Sequence, residues 1–264
     1  MTATPLMPAA FLGHGSPMNA LDRNRYTEAW RAFGAAVPRP RAILAVSAHW
    51  HVDGLAVTAM PRPRTIHDFY GFPQALFDVQ YPAPGLPALA EEVADAVSPD
   101  AVGADRDGWG LDHGTWGVLV HAFPDADIPV VQLSLDARKP LDWHLRLGAK
   151  LAALRARGVL VVGSGNVVHN LRATMRGAED SPRGLTPWAD AFDTRLAQAV
   201  DAGDARALLD YERLAPGALT AVPFPDHYFP FVYALGAAQP GEKARHVFTG
   251  FQAGTLSMRC IQWG

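Results

Sequence analysis

Short apolar runs alternate along the chain with longer stretches of helical periodicity, which is how an α/β domain reads. Five runs predict strands: Ala9 to Leu12, Ala42 to Ser47 (AILAVS), Leu55 to Met60, Ile128 to Leu135 (IPVVQLSL) and Val159 to Val162 (VLVV). Runs rich in Val and Ile suit strands covered on both faces. Leu55 to Met60 is expected to pair with Ala42 to Ser47.

Helical patterns fill the intervals. Tyr26 to Ala36 carries alanines and aromatics at helical spacing, and Pro87 to Val97 opens on a proline, which a first turn tolerates. Leu141 to Arg157 follows Pro140 and stops before Gly158. Thr186-Pro187 opens a helix whose Trp188, Phe192 and Leu196 stand four apart on one face, and Asp204 to Arg213 predicts a shorter one. Pro61 to Pro84 and Gly103 to Gly117 read as ordered loops. With no internal repeat and no long linker, one catalytic domain over residues 1–264 is expected.

Composition narrows the partners. Apolar residues make up 49% of the chain and charged residues 19%, enough to build a core. The net charge of −3 comes without any block of like charges, so the concentrated basic surface that nucleic acid requires is missing. Cys260 is the one cysteine, which excludes an intrachain disulfide and a cysteine-built zinc site and fits a reducing compartment. Met1 to Ala10 lacks the features of a secretory signal, and nowhere do eighteen apolar residues run together. A soluble cytoplasmic protein is the expectation.

The candidate chemistry lies in where histidines fall. His14 directly follows the first strand (FLGHGSP), His49 the second (AVSAHW), and His169 comes a few residues after VLVV (VVGSGNVVHN). Functional groups collect beyond the carboxyl ends of strands in open α/β sheets, so three such histidines can converge. His113 (LDHGTWG) and His227 (PDHYFP) sit in comparable segments bounded by Gly or Pro. Gly13 and Gly15 permit close approach of backbone to a ligand; Gly163, Ser164 and Gly165 read as a tight turn or a weak anion cradle. Imidazoles favour Fe, Zn, Cu or Ni over Mg and Ca. HExxH, EF-hand, GxSxG, Walker and GxGxxG signatures are all missing.

FLGHGSPMNAL, ILAVSAHW, TIHDFYGFP, LDHGTWGVLVHAFPDADIPVVQLSLD, GSGNVVHNLR and DHYFPFVYALGA together resemble the DOPA-type class III extradiol ring-cleaving dioxygenases, from about Phe11 to near Ile261. The resemblance implies a single α/β domain, its central sheet mostly parallel or mixed and flanked by helices, with one metal at one end of the sheet. It implies His14, His49 and His227 as metal ligands, with His169 either a further ligand or an acid–base residue. It makes His113 a second pocket histidine that handles protons. Asp226 is the carboxylate substitute should His227 not ligate, and His51 matches no motif histidine and is expected to be a partly exposed strand residue. The implied metal is Fe(II), with Zn(II) able to fill the same donors without iron's redox chemistry. The implied partners are a small aromatic diol and O₂, the diol opening beside its oxygenated carbons to a muconic semialdehyde. His67, Phe69 and Tyr70 are candidate pocket walls, and Trp50 and Trp116 are core or wall. His121, His144 and His246 are expected to be structural. A zinc-dependent hydrolase or other Lewis-acid enzyme using metal-bound water on the same cluster is the alternative, separated by oxygen dependence.

Overall fold

The computed structural model describes residues 6–175 and 180–264. Among them run ten strands: β1 (Ala9–Gly13), β2 (Ala42–His51), β3 (Leu55–Thr58), β4 (Val102–Asp105), β5 (Val130–Leu135), β6 (Val159–Gly165), β7 (Ala244–Phe248), β8 (Phe251–Gln252), β9 (Leu256–Ser257) and β10 (Cys260–Trp263). The α-helices are α1 (Arg25–Ala36), α2 (Gln74–Phe77), α3 (Pro87–Val97), α4 (His113–Ala122), α5 (Leu141–Arg155), α6 (Pro187–Asp201), α7 (Ala205–Leu209), α8 (Ala218–Ala221) and α9 (Phe229–Ala237). Eight strands form one sheet in the order β4-β3-β5-β2-β6-β1-β10-β7, and β8 and β9 form a separate hairpin. Its centre, β5-β2-β6-β1, is parallel, while β10 and β7 add an antiparallel edge. The expected α/β class with a mixed central sheet is what the chain adopts.

Alternation along the central strands supplies both faces. Ala10, Leu12, Ile43, Ala45, Leu160 and Val162 turn to one side, against Trp30 and Phe33 of α1 and Trp116 of α4. Leu44, Val46, Val131 and Leu133 turn to the other, against α3, α5 and α9. Local signals start the helices: Asn24 accepts from the N–H groups of Tyr26 and Thr27 to cap α1, and Thr186 caps α6 ahead of Pro187.

Several expectations need correcting. β3 pairs with β5 and β4, not with β2, because both edges of β2 are taken by β5 and β6. The stretch 103–117, read as loop, contains most of β4 and the start of α4. Asp204 to Arg213 breaks into α7 and a 3-10 turn at Tyr211–Arg213. α9 and the strands β7 to β10 add to the elements that the sequence pattern predicts.

For the site it matters that β1, β2 and β6 run parallel, β1 and β6 ending level at Gly13 and Gly165 while β2, level with Ser164 at Ser47, runs on to His51. At that edge β6 is met closely by the turn carrying His227: a Cβ on Gly163 would collide with the carbonyl of Pro230, and one on Gly165 with that of His227. Asn166 N–H donates to His227 O at 3.0 Å. The glycines read as a turn or anion cradle are therefore strand residues that admit a neighbouring backbone.

Candidate metal centre

Five histidines converge at this edge. His14 leaves β1 with its N–H bonded to Gly165 O at 3.0 Å. His49 lies inside β2, near its end rather than after it, where the pairing with β5 is irregular. His113 opens α4 behind the capping carboxylate of Asp112. His227 sits in the 3-10 turn Pro225–His227, and His169 lies flat against it, ring centroids 3.5 Å apart. The His227 ring stands 5.2 Å from that of His14 and 5.0 Å from that of His49. Ligand atoms of His14, His49 and His113 lie within 4.8 Å of one another, as do those of His169, Asp226 and His227.

The surroundings decide which ring nitrogens carry hydrogen. Ser164 Oγ donates to Gly114 O, so towards His14 Nδ1, 3.0 Å away, it acts as acceptor. His14 Nδ1 therefore holds the hydrogen and Nε2 is a lone pair. Asp68 Oδ2 stands 3.4 Å from His49 Nδ1, and a lone pair facing a carboxylate there would be repelled, so His49 also keeps its hydrogen on Nδ1. The two Nε2 atoms then face each other at 3.3 Å as two acceptors. A proton could bridge them, but burial first, then the charges of the neighbouring histidines, hold both rings well below the ordinary imidazole range. A cation between them resolves the conflict. His227 Nδ1 is likewise buried without a hydrogen-bond partner, Asp226 Oδ1 being 3.3 Å away but not completing one. Uncharged His14 and His49, with further imidazoles beside them, suit a first-row transition metal. The residues fit a metal.

The centre forms one wall of a cavity of about 810 Å³. Phe69, Phe72, Leu171, Met175 and Leu256 give it apolar sides, with Ser16 and Gln252 among the polar ones. Tyr70 stands at the rim, 92% exposed. Burial lowers His169 to about 3, so at neutral pH it presents an uncharged ring. Burial also opposes ionisation of Asp226, yet the close contact with His227, whose backbone N–H donates to Oδ1 at 2.8 Å, holds the carboxyl low.

The remaining candidates separate cleanly. Phe69 and Tyr70 line the cavity, but His67 does not: it bonds Val79 O at 2.9 Å and packs on Trp116. Trp116 is core, and Trp50 stacks on Trp109 away from the centre. His51 is exposed on β2, bonded to Ala48 O. His121 bonds Asn19 O, His144 is buried against Phe229 and Tyr233, and His246 bridges Arg259 and Asp201. Sequence reasoning missed Ser164 and Asp68 as partners of the histidines. A clue existed for Asp68: it is a lone carboxylate inside an aromatic run, HDFYGF.

An α/β sheet whose parallel strand ends present a cluster of imidazoles to an aromatic-walled cavity defines a metal-dependent enzyme acting on an aromatic compound. Residues 8–259 match the family described as the catalytic LigB subunit of aromatic ring-opening dioxygenase, and the chain belongs to that family of ring-cleaving enzymes. A protein of Escherichia coli (strain K12) named 4,5-DOPA dioxygenase extradiol is 48% identical, over 98% of this chain and 95% of its own. One of the same name from Beta vulgaris is 37% identical, over 94% of this chain and 92% of its own. A crystal structure of an uncharacterized Escherichia coli K12 protein superposes with a TM-score of 0.84 at 44% identity, covering 98% of this chain and all of that one.

Proposed function

We propose that this chain is an Fe(II)-dependent extradiol dioxygenase that opens a catechol-type ring, DOPA or a close analogue, by 4,5-cleavage to a muconic semialdehyde. The observation that carries the reading is the pair of uncharged rings of buried His14 and half-buried His49, whose Nε2 lone pairs face each other at 3.3 Å beneath an aromatic-walled cavity. His14, His49 and His227 are the ligands in this reading, with His169 at the metal's edge. His227 is taken as the third ligand because its buried Nδ1 has no hydrogen-bond partner, an orphan that a bound cation would satisfy, and His113 is kept for proton transfer. The bound iron supplies the redox change that lets O₂ react with the ring, which zinc cannot.

The chain's own groups do the rest. His169, uncharged and half-open to the cavity, accepts a proton from a catechol hydroxyl. His113, in the same lining, presents Nε2 as a lone pair, so it takes the second hydroxyl proton and gives it back as the ring opens. Phe69, Phe72 and Leu256 hold the ring by its faces and edges and keep water from it. Both atoms of O₂ end in the product, so no other reductant is needed. The relatives named 4,5-DOPA dioxygenase extradiol support DOPA as the first substrate to try.

The test is oxygen uptake by metal-stripped protein reloaded anaerobically with Fe(II) and given L-DOPA, against a Zn(II)-loaded control. Uptake with a new yellow chromophore, absent from the control, is the expected result. No uptake with DOPA or simpler catechols, despite confirmed bound iron, contradicts the reading.

A further inference from the structure

Asp68 lies in the segment between β3 and α2, and its side chain is 14% exposed. Its Oδ1 accepts the backbone N–H of His113 at 2.9 Å. That N–H belongs to the first residue of α4 and has no acceptor within the helix, so it fixes the carboxylate in place. Oδ2 then falls 2.8 Å from His113 Nδ1 and 3.4 Å from His49 Nδ1. One carboxylate oxygen thus confronts the same nitrogen of two pocket histidines. An ionised carboxylate can only accept, so each ring must turn a hydrogen towards it.

We propose that Asp68 is a positioning residue that sets the tautomer of both His113 and His49. Holding hydrogen on the two Nδ1 atoms leaves Nε2 of His49 as a lone pair for the metal. It leaves Nε2 of His113 as the atom that exchanges protons in the cavity. Partners of this kind fix ring orientation and raise ligand basicity. The same carboxylate couples the two tasks, since a change at Asp68 misplaces hydrogen on a ligand and on the proton carrier together. The inference rests on the proposed metal chemistry for its consequence, but the tautomers themselves do not depend on it.

Asp68→Asn is the discriminating variant. An amide cannot accept at both positions: with its oxygen on the His113 N–H, its NH₂ faces the two Nδ1 atoms and requires lone pairs there. Ring ¹⁵N–¹H correlations of ¹⁵N-histidine-labelled, metal-free protein read this directly, with His49→Gln and His113→Gln assigning the signals. The wild type should show both rings protonated on Nδ1, and D68N should move hydrogen towards Nε2, while the buried His144 signal stays unchanged as a check on the fold. In parallel, Zn(II) affinity and kcat with the iron enzyme should each fall on the order of 10- to 100-fold, with KM for the catechol little changed. Nε2-protonated rings in the wild type, which needs no variant to fold, overturn the proposal, as does a pattern that D68N leaves unaltered. Iron-loaded wild type that consumes no oxygen with catechols would instead overturn the reaction and leave the tautomer result standing.

Discussion

Ser164 gives its hydroxyl proton to Gly114 O and so can only accept from His14 Nδ1. Removing that acceptor in Ser164→Ala should lower metal affinity by roughly 10-fold while the fold persists, as read by competition with a chromogenic chelator alongside a thermal melt. His14→Ala and His49→Ala should abolish binding in the same assay, and full occupancy in either would refute their assignment as ligands. The histidines were legible in the sequence because each lies beside a strand end or in a short segment bounded by Gly or Pro. Ser164 and Asp68 were not, because what they do is set by partners 150 and 45 positions away. No local spacing records such contacts.

β6 and the His227 turn form the joint that brings two distant parts of the chain to one point. Gly165→Ala would drive a methyl into the carbonyl of His227. Overpacking of this kind costs about 1–3 kcal/mol, and here the strain falls on a pocket histidine, so metal affinity should drop along with the melting temperature. A variant with native affinity would show that the turn yields without moving the ring. The parallel strands were readable from their unbroken apolar runs. α4 and α9 were not, because they are buried almost all round and lack the one-sided stripe that marks an amphipathic helix. β4 is a short, largely exposed edge strand with a glycine, and it gives no alternation to read.

At the scale of the molecule, Arg155 ties the ends of the chain to its centre. Its guanidinium is fully buried and donates to Met7 O, Ala237 O and Trp263 O as well as to Glu242. Burial pushes the Glu242 carboxyl up, but hydrogen bonds from Arg155 and the Gln239 N–H outweigh it and hold the carboxyl below its ordinary range. A carboxylate lowered on folding contributes stability that is complete above its unfolded pKa and is lost as pH falls through its folded one. The melting-temperature gap between wild type and Glu242→Gln should therefore be steady near about pH 6 and close towards about pH 3. A gap that stays constant, or widens in acid, would mean that this pair does not set the acid limb. None of this clamp was foreseen from the sequence, whereas the α/β class was, because the apolar runs of β1, β2, β5 and β6 alternate with helical patterns; the mixed sheet was implied only by the family resemblance. The account as a whole turns on whether dioxygen enters the substrate. The most direct measurement is mass spectrometry of the product formed by iron-loaded protein from L-DOPA under ¹⁸O₂. The account predicts a ring-opened product with ¹⁸O in its new carboxylate, and label absent from that product, or present only when supplied as H₂¹⁸O, would contradict it.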